Sequence, residues 1–393
     1  MAPLAICAYT LVNALGRGVD TTAAALLSGA SGLRPCDFES ADLPTWIGRI
    51  DGLEDEPVDH DLSAFDCRNN RLARVALLQD GFDTAVAATR ARVGASRIGV
   101  FVGTSTAGIL EAERAYRGYV ETGALAPFSY RHTQDIFSVA DFTRVFLRLA
   151  GPAVGISTAC SSSAKVFASA YRYMCAGLCD AAVVGGVDSL CLTTLYGFHS
   201  LELTSTEPCR PWDAARDGLS IGEAAGFALL EWAEMGTAET GLRGYGESSD
   251  AYHMSSAHPQ GEGAVLSMRQ ALASAGVRPD QVDYVNLHGT ATPSNDAAED
   301  KAMLRVFGDQ TPCSSTKGWT GHALGAAGIT EALIACLCIE RGLMPGSLNT
   351  RRRDPMLKAN ILTETRAHAV ELAMSNSFGF GGSNCSLLLG RLP

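Results

Sequence analysis

Four short stretches of this chain hold residue types able to do nucleophilic and proton-donating chemistry. The first is Gly155-Ile156-Ser157-Thr158-Ala159-Cys160-Ser161-Ser162-Ser163-Ala164. A β-prone run, Ala153 to Ile156, leads into small residues, and a helix-compatible run, Lys165 to Ala176, follows, so the pattern predicts strand, tight turn and helix. Cys160 then falls at or near the first helical turn, where free N–H groups and the positive end of the dipole favour a thiolate. The bland alternative is a buried structural cysteine. The second and third stretches carry histidines: His288-Gly289-Thr290 at a strand end, and Thr320-Gly321-His322 opening a helix. Strand ends are where ligands collect in an open α/β sheet. Either histidine alone would serve equally as a core or capping residue; two of them with a cysteine form a constellation. Lys317, five residues before His322, is a candidate to hold a buried carboxylate, with Glu299 as one possible partner, or else a plain surface lysine. The fourth stretch, Phe378-Gly379-Phe380-Gly381-Gly382-Ser383-Asn384, predicts either a hairpin or a tight loop whose N–H groups hold an oxyanion beside a mobile aromatic.

The elements that must position these residues read as alternating strands and helices. Residues 4–10, Ile98 to Gly103, Ala181 to Gly186 and Gly226 to Trp232 are predicted strands, and Asn70 to Arg92 has helical spacing throughout. A polar stretch with Gly236, Gly241, Gly244 and Gly246 marks a boundary between halves. In the second half, 261–275, Asn295 to Phe307 and Gly321 to Arg341 are predicted helices. Val282 to Leu287, Val370 to Met374 and Asn384 to Leu389 are predicted strands. The expectation is α/β in two halves, 1–240 with the cysteine and 241–393 with the two histidines.

Composition narrows the class. The chain has 393 residues, 47% hydrophobic and 19% charged, which describes a globular protein with a large core. Its formal charge of −11 argues against nucleic-acid binding. No uninterrupted apolar run of about 18 residues occurs, so no membrane span is expected. The N-terminus lacks a basic leader, which points to a cytoplasmic protein. The 12 cysteines are scattered. Close pairs such as Cys175/Cys179 and Cys336/Cys338 lack nearby histidines, so neither a zinc site nor a disulfide framework is predicted.

Thr158-Ala159-Cys160-Ser161-Ser162, Asn286-Leu287-His288-Gly289-Thr290-Ala291-Thr292-Pro293, Lys317 to Gly328 and Asn376 to Gly382 together resemble the β-ketoacyl-[acyl-carrier-protein] synthases of the Cys-His-His branch. The four blocks occur in order and span essentially the whole chain. The resemblance implies a thiolase-like duplicated fold, a five-layer αβαβα sandwich, and a decarboxylative Claisen condensation in fatty acid or polyketide chain elongation. It implies that Cys160 takes an acyl chain from a carrier protein, that His288 and His322 bind the malonyl thioester carbonyl, and that the N–H groups of Cys160 and Phe380 hold the oxyanion. Lys317 with Glu299 would order the histidines. Thr290 and Thr292 would bond the pantetheine arm, Phe198 and Phe380 would gate, and Ala107 would line the acyl pocket. No cofactor is implied beyond the carrier's phosphopantetheine. Some relatives hold a structural monovalent cation at positions matching Asn286, Glu331, Ser375 and Asn376. Partners implied are an acyl carrier protein and a second subunit, either identical or a related chain-length subunit without the cysteine.

The chain also departs from the pattern. Arg68, Arg71 and Arg74 match a carrier-docking patch, unless they are only a solvated helix face. A second basic group expected around 120–130 is replaced by Glu121-Thr122-Gly123-Ala124-Leu125. Such departures resemble synthases of specialised pathways, for example aryl polyene clusters. Two other readings are a non-catalytic chain-length partner, which Cys160 and both histidines oppose, and a degradative thiolase, for which Cys385 lacks the Cys-x-Gly context.

Overall fold

Each half of the chain builds one sheet, and the computed structural model describes residues 1–125, 128–234 and 238–392. In the first half the strands are β1 (Leu4–Asn13), β2 (Ile98–Gly103), β3 (Ala153–Ile156), β4 (Ala181–Asp188) and β5 (Ala224–Trp232). In the second they are β6 (Thr240–Ser249), β7 (Tyr284–Asn286), β8 (Pro312–Ser314), β9 (Leu372–Gly379) and β10 (Ser383–Arg391). The spatial orders are β3-β2-β4-β5-β1 and β8-β7-β9-β10-β6. Both halves therefore place their own strands in the order 3-2-4-5-1. In each, the first two pairings are parallel and the last two antiparallel. That shared topology makes the fold a duplication which no sequence repeat reveals. The sheets meet where β1 pairs with β6 at Leu4↔Leu242 and Ala5↔Gly241.

Alternation along the strands sorts the core into layers. Val100, Val102, Val183 and Phe227 face outward onto α1 (Arg68–Leu77), α2 (Phe82–Val93) and Ser138–Phe146. Phe101, Val184 and Leu230 face inward onto α3 (Ser162–Cys175). In the second half Val285, Met374 and Leu388 face α4 (Glu262–Ala275) and α5 (Pro293–Phe307), while Tyr284, Ala373, Leu387 and Leu389 face α6 (Ala327–Arg341). Helices α3 and α6 form the central layer of the αβαβα sandwich. Among the described residues no helix is long and apolar enough to cross a membrane.

Three local expectations need correction. The single helix over Asn70 to Arg92 is two, because Asp80 and Gly81 take left-handed φ values of 56° and 69°. The glycine-rich boundary is not a linker over its whole length. Gly241, Gly244 and Gly246 lie within β6, while Gly236 is outside the described residues. A Cβ on Gly246 would come within 2.0 Å of the Ser267 carbonyl, so the glycines there admit α4 against the sheet. Finally, α6 begins at Ala327, so His322 precedes it in an irregular segment bridged to Ile221.

Candidate active site

The turn after β3 presents Cys160. Ala159 holds a left-handed φ of 53°, which costs a non-glycine residue roughly 1–2 kcal/mol. Hydroxyls offset that strain: Ser161 Oγ donates to the Thr158 carbonyl at 2.9 Å, and Ser162 Oγ accepts from the Thr158 N–H at 2.9 Å and donates to the Ala159 carbonyl at 2.6 Å. Helix α3 starts at Ser162, so Cys160 lies just before the first turn.

His288 follows β7, and His322 is carried by the segment after Lys317. The Nε2 of His322 lies 3.0 Å from Cys160 Sγ. The two imidazoles meet edge to face at 5.4 Å between centroids, and one ligand atom from each of the three residues lies within 4.8 Å of the others. All three are buried. Lys317 is buried too, and its Nζ donates to the His288 carbonyl and to Glu331 and faces His288 Nδ1 at 3.4 Å. Because an ammonium is only a donor, Nδ1 accepts and the His288 ring proton lies on Nε2. His322 Nδ1 has no partner among the described residues. An unpaired buried N–H costs more than an unpaired acceptor, which places that ring's proton on Nε2 as well. Both rings then offer donors to one small volume.

Electrostatics correct the expectation of a resting thiolate. Burial pushes the Cys160 thiol up to about 12, against the opposing pull of Lys317 and the Phe380 N–H. Desolvation outweighs the helix terminus here, and the sulfur rests protonated. Both histidines are held well below the usual imidazole range, first by burial and then by the Lys317 charge. They are neutral at physiological pH.

The expected Lys317–Glu299 pair does not form. The lysine's carboxylate partner is Glu331, the single charge in the apolar run of α6 from Ala327 to Ile339. Glu299 instead accepts the N–H groups of His288 and Gly289 at 2.8 Å each, fixing the histidine loop through its backbone. Burial lifts Glu299 to about 7, and Glu331 likewise to about 7 against the pull of Lys317.

The remaining expected residues divide. Phe380 stacks on Phe198 at 5.5 Å and 25°, and both line the cavity over Cys160 with Thr290 and Thr292. Thr290 and Thr292 share a hydroxyl contact of 3.0 Å. The cavity measures about 50 Å³, room for roughly four waters. Gly379 is demanded by closeness: a Cβ there would lie 2.7 Å from the Thr158 carbonyl and 3.3 Å from the Cys160 nitrogen. Ala107 is buried in a left-handed turn and does not line this cavity. Cys160 is the one cysteine on the cavity wall among the described residues, and Cys385 is buried within β10 opposite Ser377.

The docking expectation also fails at its first residue. Arg68 is 5% exposed and is clamped by Glu223 at 2.6 and 3.0 Å and by Glu54 at 2.5 Å. Arg71 is bidentate on Asp66, and Arg74 contacts Asp59 and Glu56. These arginines neutralise local acids.

Sequence reasoning missed Asp188, an acid closing the apolar strand β4. Its carboxylate accepts the Thr104 and Thr106 hydroxyls at 2.7 and 2.8 Å, the Ser105 and Thr106 N–H groups at 2.8 Å each, and the Gly325 N–H. It ties the loop after β2 to the segment that carries His322. Asn286 and Ser375 are side by side on β7 and β9, and Asn286 Oδ1, Ser375 Oγ and Glu331 Oε2 are buried without partners among the described residues. Three such oxygens fit the donor set of a hard monovalent cation. Asn376 Oδ1 does not join them, since it accepts from Ser386.

Comparison with known proteins agrees with this geometry. The chain matches the beta-ketoacyl synthase N-terminal domain over residues 1–235 and the beta-ketoacyl synthase C-terminal domain over 240–351. It is 33% identical to 3-oxoacyl-[acyl-carrier-protein] synthase 2 of Vibrio cholerae, covering 97% of each chain. Among solved structures it is similar to a ketosynthase, ApeO, in complex with its chain length factor, ApeC, from Xenorhabdus doucetiae (38% identity, TM-score 0.92, 100% of this chain and 98% of that one). It is also similar to a beta-ketoacyl synthase from Burkholderia phymatum (30% identity, TM-score 0.88, all of both chains). With a duplicated thiolase-like fold, a buried cysteine and two neutral histidines in one cavity, and matches of this length, the chain belongs to the beta-ketoacyl synthase family.

Proposed function

We propose that the cavity performs the family's decarboxylative Claisen condensation through Cys160, His288 and His322, joining an acyl chain to a malonyl unit on an acyl carrier protein. The observation that carries this is the 3.0 Å contact between His322 Nε2 and Cys160 Sγ with His288 beside it. In the first half-reaction Cys160 sulfur attacks the acyl thioester carbonyl. The Cys160 and Phe380 N–H groups hold the oxyanion, a donor pair in which each member is worth about 3 kcal/mol. The carrier's sulfur leaves with the proton that the thiol gives up, and the acyl group stays on Cys160. In the second, the Nε2–H groups of His288 and His322 donate to the malonyl thioester oxygen. Loss of CO₂ leaves an enolate, whose carbon attacks the acyl–Cys160 carbonyl; the new C–C bond forms as the C–S bond breaks, and the departing Cys160 thiolate takes a proton from solvent to return to the thiol. Neutral donors suit this step, because they stabilise the enolate without giving it a proton. Lys317 and Glu299 act as positioning residues, through the His288 carbonyl and ring and through the loop N–H groups. A monovalent cation, when bound, would be held by Asn286, Glu331 and Ser375 and would supply fixed positive charge there.

Similarity to a ketosynthase that assembles with a chain length factor supports a finer reading. The chain works as the catalytic subunit beside a related subunit without the cysteine, in a specialised elongation such as that of aryl polyenes, in the cytoplasm. The test of the reaction is Cys160→Ala. Acyl loading and condensation are expected to vanish while malonyl decarboxylation persists. Condensation at wild-type rate in that variant overturns the assignment.

A further inference from the structure

The arginines of α1 are consumed by internal acids, and the chain as a whole carries a formal charge of −11. An acidic carrier protein approaching this molecule meets repulsion unless one face is locally positive. We propose that this face is the loop Arg351–Lys358, and that the acidic surface of the carrier protein docks there; the proposal rests on the reaction assigned above.

The loop reads Arg351-Arg352-Arg353-Asp354-Pro355-Met356-Leu357-Lys358. Arg351, Arg352, Arg353 and Lys358 are exposed, and among the described residues none of the four makes an ion pair with a carboxylate. The acids around them are already engaged. Asp354 takes the Arg216 guanidinium at 2.7 Å. Asp213 Oδ2 accepts the Arg351 and Arg352 N–H groups, and Asp300 Oδ1 those of Lys358 and Ala359, at 2.8 Å each. These carboxylates hold the loop's backbone and leave the guanidinium groups of Arg351 and Arg352 to solvent, while the Arg353 guanidinium donates to the Ile361 carbonyl and Lys358 Nζ to the Pro355 carbonyl. Amid the cations Met356 is 79% exposed, an adaptable apolar contact for a partner surface.

The loop is also wired to the mouth of the site. Asp213 follows Trp212, whose N–H donates to Asp296 Oδ2 at 3.0 Å, and Asp296 Oδ1 accepts the Ala291 N–H at 3.2 Å. Ala291 lies between Thr290 and Thr292, which line the cavity over Cys160. A carrier held on the arginines thus rests on a loop that Asp213, Trp212 and Asp296 join to the threonines its pantetheine arm would follow.

The test compares Arg351→Glu/Arg352→Glu with Arg71→Glu/Arg74→Glu. Each is assayed with carrier-bound malonyl and acyl substrates and with the matching pantetheine thioesters. Equilibrium binding of a fluorescently labelled holo-acyl carrier protein is measured separately at low and high salt. The loop variant is expected to raise the carrier KM and Kd by about tenfold or more, to flatten the salt dependence, and to keep pantetheine-thioester turnover. The α1 variant is expected to change carrier affinity less than about twofold. Unchanged carrier affinity in the loop variant overturns the docking proposal, and so does a parallel loss with pantetheine thioesters. Loop-dependent carrier binding by a wild-type protein that condenses neither substrate form would uphold docking and refute the reaction instead.

Discussion

Burial and hydrogen-bond donors pull Cys160 in opposite directions. Desolvation favours the thiol, whereas His322 Nε2–H, the Phe380 N–H and the Lys317 charge favour the thiolate. The same burial keeps both histidines neutral, and this has a pH consequence. A folded imidazole held far below its unfolded value of about 6.5 refuses the proton that the unfolded chain accepts. Its contribution to stability is therefore present above about pH 6.5 and is lost as pH falls below it. The imidazole NMR signals of His288 and His322 should not titrate between about pH 6 and 7.5, and an imidazole titration centred near 6.5 would contradict neutral donors. Replacing His288 by Asn should reduce the loss of urea resistance between about pH 7 and 5. Much of this site was legible in advance, since Cys160, both histidines and Phe380 stand in small-residue contexts that only a close approach explains. The carboxylate partners were not. Glu299 and Glu331 are both buried acids on helices, and only the three-dimensional path decides which one meets Lys317. Asp188 was overlooked because a lone acid at a strand end reads as a turn residue.

Helices and strands were easiest to read where the apolar period was clean, as in β2, β4 and α4. Errors fell where glycine served packing rather than turning. Gly241, Gly244 and Gly246 look like a linker in sequence, yet they form β6 because α4 lies directly on that strand. This makes a sharp expectation. Gly246→Ala would drive a methyl toward the Ser267 carbonyl, 2.0 Å from an ideal Cβ, and should cost about 1–3 kcal/mol in urea denaturation as α4 is pushed off the sheet. Gly276→Ala, at the α4 C-terminus where nothing lies within 4 Å, controls for composition. It meets only the strain of a left-handed φ of 68°, roughly 1 kcal/mol. Equal costs at the two sites would show that α4 can yield. Helix α6 was predicted too long for a related reason. Gly321 turns the chain at a φ of 76°, which frees His322 from helical geometry and lets it reach Cys160.

At the scale of the whole molecule, duplication explains why a cysteine from the first half and histidines from the second share a cavity. Each sheet delivers its loops to the same end, β3 with Cys160 and β7 with His288, and the central helices α3 and α6 hold the halves in register. The matching strand order was hidden from sequence because the two halves carry different insertions between corresponding strands, 84 residues from β1 to β2 against 34 from β6 to β7. The central claim is that Cys160 is the acyl acceptor of this two-half site. Incubation with an acyl-carrier protein, followed by intact and peptide mass spectrometry, tests it directly. The account predicts one acyl group per chain, on the peptide containing Cys160 and absent from Cys160→Ala. Acylation of any of the other cysteines, or a mass shift that persists in Cys160→Ala, would contradict it.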